Sequence, residues 1–128
     1  MTENLYASGE EYLKWIYKIQ NKIGEVRSID IAIYMGYSRA SVSVAVKKLI
    51  QKGYLTKDPN GCLHLTPAGK EIGETLYYRH QFLTDVLVDL GVDEDVAISD
   101  ACKLEHVLSD ISVQKLKNYF KERRSMNG

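Results

Sequence analysis

The feature that most constrains the fold is a pair of short helical segments followed by a hairpin signal in the first 66 residues. The two segments, 29–35 and 39–52, are separated by only three residues, so the chain has to turn sharply between them. Gly36 provides a residue that tolerates a positive φ at this turn, and Ser38 predicts the N-cap of the second helix. Asp58-Pro59-Asn60-Gly61 then predicts a tight turn between two short strands. This order of elements predicts a winged helix-turn-helix.

Apolar residues at helical spacing predict further helices on both sides of this unit. They cover about 8–22, 67–90, 93–108 and 112–121, and a polar tail follows. Pro67 suits the start of the long helix, because the N–H that proline lacks has no helical partner in a first turn. The predicted fold class is therefore mainly α with a small β-hairpin wing. We expect a winged helix-turn-helix domain over 1–66 and a helical domain over 67–128.

The charge distribution differs between the two halves of the chain. The 17 basic and 17 acidic residues give a formal net charge of zero, which argues against bulk coating of nucleic acid. Residues 1–66 carry nine basic and six acidic side chains, whereas 67–128 carry eight and eleven. With two cysteines, no apolar leader and no apolar run long enough for a bilayer, the composition favours a reduced, cytoplasmic protein without a membrane partner.

The second helix of the pair carries the side chains that a major-groove contact needs. Small hydroxyl-bearing residues at its start let the backbone approach the bases, and lysines farther along suit phosphate contacts. The predicted DNA-contacting residues are Ser28, Ser38, Arg39, Ala40, Ser41, Ser43, Lys47 and Lys48, with Lys57 and Asn60 on the wing. Two alternatives stay open from the residues alone. In the first, Ser38 serves only as a helix cap and the lysines form only a solvent-exposed face. In the second, the winged helix binds another protein instead of DNA.

A second cluster of polar side chains lies in the helical half of the chain. Cys102, Glu105 and His106 stand at i, i+3 and i+4, so a helix would project a thiolate, a carboxylate and an imidazole from one face. These are potential ligands of one transition-metal ion, and His80 and Glu11 are the best candidates to complete the set. The spacing alone also allows a buried cysteine, a surface carboxylate and a histidine satisfied by a neighbour.

Motifs along nearly the whole chain carry a family resemblance. They are Gly9-Glu10-Glu11-Tyr12-Leu13-Lys14-Trp15-Ile16-Tyr17, the helix pair through Leu49, Leu65-Thr66-Pro67-Ala68-Gly69, Tyr78-Arg79-His80, Gly91-Val92-Asp93, and Asp100-Ala101-Cys102-Lys103-Leu104-Glu105-His106-Val107-Leu108-Ser109. With these motifs the chain resembles the diphtheria toxin repressor family of metal-dependent transcriptional regulators, which includes iron-dependent repressors and manganese transport regulators. The last motif is highly specific, and it favours the metal-binding interpretation of 102–106.

The resemblance implies a homodimer that binds double-stranded operator DNA and takes no small organic substrate. It also implies that 67–128 is a metal-binding and dimerisation domain, and that metal bound between the two domains favours a DNA-competent arrangement. By motif, the ligand positions fall on Glu11, His80, Cys102, Glu105 and His106. Lys14 and Thr84 depart from the family pattern: Lys14 stands where manganese-type members can carry an acidic ligand, and Thr84 where iron-type members place a carboxylate. We also expect the SH3-like third domain of longer members to be absent.

The choice of metal depends mainly on Cys102. Manganese-type members carry a carboxylate here, and a thiolate favours Fe(II) or Zn(II) over the harder Mn(II). Glu11, Glu105 and the imidazoles still form a mixed N/O set that Mn(II) could occupy. We therefore expect Fe(II) first, Mn(II) next and Zn(II) after it, in a repressor of metal-uptake genes.

Two other function classes compete with this interpretation. We do not expect an enzyme, because no obvious general base, oxyanion donor or phosphate loop accompanies the cluster. The main alternative is a winged-helix regulator that senses a thiol oxidant through Cys102, or an organic ligand, instead of a metal.

The dimer surface is predicted on the apolar sides of the long helix and the helix after it. The candidates are Leu83, Leu87, Leu90, Val107 and Leu108. Each of them would suit the core of a single protomer equally well.

Overall fold

The computed structural model describes residues 7–127, which form helices and one two-stranded sheet. The elements are α1 (Ala7–Ile23), α2 (Ser28–Met35), α3 (Arg39–Gln51), β1 (Leu55–Lys57), β2 (Leu63–Leu65), α4 (Pro67–Asp89), α5 (Glu94–Val107) and α6 (Asp110–Asn127). They form two compact units, one up to Tyr77 and one from Tyr78 onward. None of the described helices has both the length and the apolarity needed to cross a membrane.

The helix-turn-helix lies where the sequence predicts it. Gly36 adopts φ 72° and ψ 25°, a left-handed conformation that ends α2. Ser38 caps α3, because its Oγ accepts a hydrogen bond from the N–H of the third helical residue at 3.1 Å. The helix α2 begins at Ser28, one residue earlier than predicted, and its N-cap is Arg27. The Asp30 carboxylate accepts a hydrogen bond from the backbone N–H of Arg27 at 2.9 Å. A side chain of the first helical turn therefore stabilises the start of α2.

The wing is an antiparallel hairpin in which Thr56 of β1 lies opposite His64 of β2. Its turn is organised by Asp58, whose Oδ1 accepts hydrogen bonds from the N–H groups of Asn60 at 2.9 Å and Cys62 at 3.0 Å. Oδ2 of the same carboxylate lies 2.9 Å from Nε2 of His64. The hydrogen bond with His64, followed by the one from the Cys62 N–H, lowers the pKa of Asp58.

The core of the N-terminal unit combines apolar side chains from the first three helices and the wing. The most deeply buried are Leu13, Ile16, Ile31, Val42, Leu55 and Leu63. The first part of α4 belongs to this unit because glycines let it come close to other backbone segments. A Cβ at Gly69 would overlap the carbonyl oxygen of Tyr54, and one at Gly73 would crowd the backbone of α1. The compact unit therefore extends to Tyr77, and the domain division after Thr66 stays a prediction.

The C-terminal unit contains the rest of α4 together with α5 and α6. Ala97 and Ala101 are fully buried, so α5 packs closely through small side chains. Phe82 of α4 and Phe120 of α6 meet edge to face, with ring centroids 6.4 Å apart. The last helix is longer than predicted, because it continues through Asn127 where the sequence suggests a polar tail. The predicted fold class, mainly α with a β-hairpin wing, is confirmed.

Candidate metal centre and nucleic-acid interface

Three of the predicted metal ligands lie on the last turns of α5. Cys102, Glu105 and His106 share one face of this helix. Glu105 is 0% exposed, so its carboxylate has lost its hydration shell. A buried carboxylate is costly unless positive or hydrogen-bonding groups compensate for that loss. The surroundings of Glu105 therefore decide what this cluster can bind.

Two imidazoles flank the Glu105 carboxylate. Nδ1 of His80, on α4, lies 2.9 Å from Oε2, and Nε2 of His106 lies 3.2 Å from Oε1. The two histidine side chains are 18% and 9% exposed, so a bound ion would be largely shielded from water. Nδ1 of His80 is buried and makes no hydrogen bond within the described residues, because its short approach to the carboxylate lacks hydrogen-bond geometry. A buried ring nitrogen placed in this way is suited to coordinate a metal ion.

Cys102 adds a sulfur donor to this group. Its Sγ lies within 4.8 Å of a carboxylate oxygen of Glu105, and the side chain is half-buried and not part of a disulfide. Two imidazoles and one thiol therefore lie around the Glu105 carboxylate in the C-terminal unit. This combination of donors fits a divalent transition-metal ion. The structure thus places His80, Cys102 and His106 next to Glu105, as the sequence-based ligand set requires.

Arg79 connects α4 to the end of α5 directly beside these ligands. One guanidinium nitrogen, Nη1, donates to the backbone carbonyls of Glu105 at 3.1 Å and Leu108 at 3.4 Å. The other, Nη2, lies 2.6 Å from Oδ1 of Asp110 at the start of α6. Arg79 thereby satisfies carbonyl groups that the helix end leaves without intrahelical partners. Sequence reasoning included Arg79 only as part of a motif, because its partners lie 26 or more positions farther along the chain.

The remaining predicted ligand, Glu11, lies on α1 in the N-terminal unit. Its Oε1 is 2.7 Å from the ammonium of Lys14 and accepts a hydrogen bond from the indole N–H of Trp15 at 3.1 Å. The Glu11 and Lys14 side chains are 16% and 7% exposed. Sequence reasoning missed this ion pair, although the i, i+3 spacing on a helix was the available signal.

The predicted DNA-contacting residues are mostly accessible. Exposed positions on and before α3 are Ser38, Arg39, Ala40, Ser41, Ser43, Lys47 and Lys48, and exposed positions on the wing are Lys57 and Asn60. Ser28 is only half-buried at the first turn of α2. The hydroxyls of Ser38 and Ser41 are 2.9 Å apart, so both take part in the helix cap. Their contact with DNA stays a prediction.

The predicted dimer residues fall into two groups. Leu90 and Val107 are 68% and 76% exposed, which leaves most of each side chain available to a partner. Leu83 is 4% exposed and packs inside its own protomer, whereas Leu87 and Leu108 are half-buried. Leu90 and Val107 are therefore the better probes of a dimer surface.

The chain matches sequence models of two protein domains. Residues 4–63 match the "Iron dependent repressor, N-terminal DNA binding domain", and residues 66–125 match the "Iron dependent repressor, metal binding and dimerisation domain". The chain therefore belongs to the iron-dependent repressor family and is a metal-dependent, DNA-binding transcriptional regulator, not an enzyme. The resemblance inferred from the motifs is confirmed.

Individual relatives give the same assignment. The chain is 37% identical over 118 residues to the HTH-type transcriptional regulator MntR of Bacillus subtilis (strain 168), covering 90% of this chain and 83% of the relative. It is 38% identical over 109 residues to MntR of Bacillus pumilus (strain SAFR-032), covering 85% and 76%. Among solved structures, the manganese regulator SloR has a TM-score of 0.79 and 31% identity. That match covers 94% of this chain but 55% of SloR, so the chain spans about half the length of that protein.

Proposed function

We propose that the protein is a repressor that binds operator DNA when Glu11, His80, Cys102, Glu105 and His106 hold a divalent metal ion. The observation that carries the proposal is the fully buried Glu105 carboxylate between two imidazoles, with a thiol beside it. When bound, a divalent cation adds positive charge next to this carboxylate and the Cys102 thiolate. Glu105 is the central ligand, because the other three donors of the C-terminal unit lie around it.

Glu11 would connect metal binding to DNA binding. It lies on α1, whose apolar side chains share one core with α2 and α3. A ligand on α1 therefore makes the position of the recognition helix α3 sensitive to the metal. In a homodimer, two recognition helices have to fit half-sites about one helical turn apart. A coupling of about 1–3 kcal/mol between the metal site and the DNA site is sufficient for such a switch.

Fe(II) is the proposed physiological metal. Cys102 provides a thiolate, and soft ligands favour Fe(II) over the harder Mn(II). Zn(II) would fit the same donors.

Mn(II) is a second candidate, and a different observation supports it. MntR and SloR are the relatives named above, and SloR is described as a manganese regulator. The carboxylate and imidazole donors of the site are compatible with Mn(II) as well.

An anaerobic DNA-binding titration would distinguish these candidates. The operator would be selected from a random-sequence pool in the presence of mixed metals, and then titrated with Fe(II), Mn(II), Zn(II) or chelator. We expect Fe(II) to promote binding at lower concentration than Mn(II), and Cys102→Glu to narrow that difference because it replaces the thiolate with a carboxylate. Cys62→Ser is the matched control, since Cys62 is the chain's other thiol and lies on the wing.

The outcomes separate the hypotheses clearly. Activation of the unmodified protein by Mn(II) at lower concentration than Fe(II) would favour the second candidate. Equal DNA binding with every metal and with chelator would contradict the proposal, and would favour a sensor of thiol oxidants or organic ligands. Because its proposed partner is operator DNA, the protein would act in the cytoplasm as a homodimer.

A further inference from the structure

Lys14 is a buried cation on α1, which is unusual for a lysine. The residue is 5% exposed, and its ammonium lies 2.7 Å from Oε1 of Glu11. An ammonium taken out of water needs an anion close by. Glu11 supplies that anion from one turn earlier on the same helix.

The same carboxylate oxygen is held by a second donor. The indole N–H of Trp15 donates to Oε1 of Glu11 at 3.1 Å. Oε1 thus interacts with one charged donor and one neutral donor. A metal ion that coordinates Glu11 would have to share this carboxylate with the Lys14 ammonium, and the two positive groups would repel each other at short range.

We propose that Lys14 is a built-in competitor of the metal ion and sets the concentration at which the protein responds. The inference rests on the proposed function, because it requires Glu11 to be a ligand. Lys14 itself cannot coordinate the ion while it is protonated, since an ammonium has no lone pair. Its effect comes from charge: it stabilises the Glu11 carboxylate without metal and disfavours a cation at that carboxylate. The effect should therefore be similar for Fe(II), Mn(II) and Zn(II), whereas an effect of ligand type would differ among them.

The test measures metal affinity directly, without DNA. Lys14→Gln removes the charge but keeps a hydrogen-bond donor for Glu11. We expect its affinity for each metal, measured by competition with a chelating dye under anaerobic conditions, to rise about tenfold or more. Lys14→Arg keeps the charge and should bind metal about as the unmodified protein does.

Lys18→Gln is the matched control. It removes the same charge one turn farther along α1, where the exposed Lys18 ammonium lies 4.8 Å from the centre of the Trp15 ring. Because an exposed charge is screened by solvent and salt, we expect its metal affinity to change by less than about twofold. An unchanged affinity in Lys14→Gln, or an equal rise in Lys18→Gln, would overturn the inference.

Glu11→Gln separates a failure of this inference from a failure of the proposed ligand set. If Glu11→Gln lowers metal affinity while Lys14→Gln leaves it unchanged, Glu11 is a ligand and the role of Lys14 is wrong. If Glu11→Gln has no effect on affinity, the ligand set itself has to be revised and Lys14 has no ligand to act on.

A measurement on the unmodified protein covers the case in which Lys14→Gln does not fold. The Cε resonance of Lys14 should shift when Zn(II) is added, because the ammonium loses part of its interaction with Glu11. The Cε resonance of Lys18 should stay in place. A Lys14 resonance that does not respond to saturating Zn(II) would contradict the proposal.

Discussion

Glu105 has a fully buried carboxylate between two imidazoles, so its contribution to stability depends on whether a cation is present. Without metal, the interactions with His80 and His106 compensate in part for lost hydration. With metal, the ion binds the folded state more tightly than the unfolded chain, in which Glu11 and His80 are separated from the ligands at 102–106. The increase in the free energy of unfolding on metal binding is therefore the most direct measure of the role of Glu105 as a ligand.

We predict that Glu105→Gln abolishes most of that stabilisation. At a metal concentration of 100 times the Kd, the free energy of unfolding of the unmodified protein should rise by about 2.7 kcal/mol. Urea denaturation with and without metal would measure this difference. Glu94→Gln, at an exposed position in the first turn of the same helix, is the control. Full metal-induced stabilisation in Glu105→Gln would remove Glu105 from the ligand set.

Asp58 gives the wing a predictable pH dependence. Its pKa is lowered, chiefly by the hydrogen bond with His64, so the folded wing favours the ionised carboxylate. The stabilising contribution is complete above the pKa of about 4 that an aspartate has in an unfolded chain. It is lost as the pH falls below that value and through the lower pKa of the folded state. Hydrogen exchange of the Cys62 amide, which donates to Asp58, should therefore accelerate on acidification relative to intrinsic exchange.

The variant Asp58→Asn provides the comparison for this measurement. Its wing should exchange faster at neutral pH and should no longer show the acid-dependent change. Identical acid sensitivity in the variant and the unmodified protein would assign the effect to another group.

At the scale of secondary-structure elements, the end of α5 depends on the Arg79 side chain from α4. Arg79→Met removes the donors to the carbonyls of Glu105 and Leu108 and leaves buried polar groups unsatisfied. We predict a loss of about 1–3 kcal/mol in the free energy of unfolding. Arg123→Met, on the exposed face of α6 beside Tyr119, should have little effect. Equal stability of the two variants in urea denaturation would show that the Arg79 contacts contribute nothing.

The recognition helix α3 carries the proposed contacts with phosphate. Lys47→Ala should weaken DNA binding for specific and unspecific sequences alike and reduce the slope of log K against log salt by about one. Metal affinity should not change, because Lys47 is an exposed residue of α3 and is not a proposed ligand. Lys115→Ala, an exposed lysine of the C-terminal unit, serves as the control in the same salt titration. A salt slope unaffected by Lys47→Ala would move the DNA surface away from this face of α3.

The elements could be predicted where local chemistry determines them. The turn at Gly36, the cap at Ser38 and the hairpin at Asp58 depend on residues close together in sequence, and the structure has them at the predicted positions. The helix α2 starts one residue earlier than predicted, because the Asp30 side chain reaches back to Arg27. The helix α6 extends beyond its predicted end, because lysine, glutamate and arginine are good helix formers although they are polar.

The candidate site was predictable only in part. The spacing of Cys102, Glu105 and His106 identified one helix face, and the motifs added His80 and Glu11. Glu105 is completely buried, and two imidazoles lie beside it. Neither feature could be predicted, because both depend on the packing of α4 against α5, which no local sequence pattern encodes.

At the scale of the whole molecule, assembly is the property that single-residue chemistry does not determine. Val107 is 76% exposed and lies in the segment that matches the metal binding and dimerisation domain, whereas Ile33 lies in the segment that matches the DNA binding domain. We predict that Val107→Lys converts a dimer into a monomer in sedimentation experiments, with the fold unchanged because the side chain contributes little to the protomer core. Ile33→Lys, at 70% exposure on α2, is the matched control and should leave the dimer intact. A dimer unaffected by Val107→Lys would place the interface elsewhere.

Trp15 is the only tryptophan of the chain, and its indole N–H is bonded to the Glu11 carboxylate. Indole emission is sensitive to the loss or gain of such a bond. The protein therefore carries an intrinsic fluorophore at a proposed ligand, and occupancy of the site could be followed optically without a label. Stopped-flow mixing with this signal would give the rate at which the regulator acquires and releases its ion, and hence how quickly a cell could register a change in metal supply.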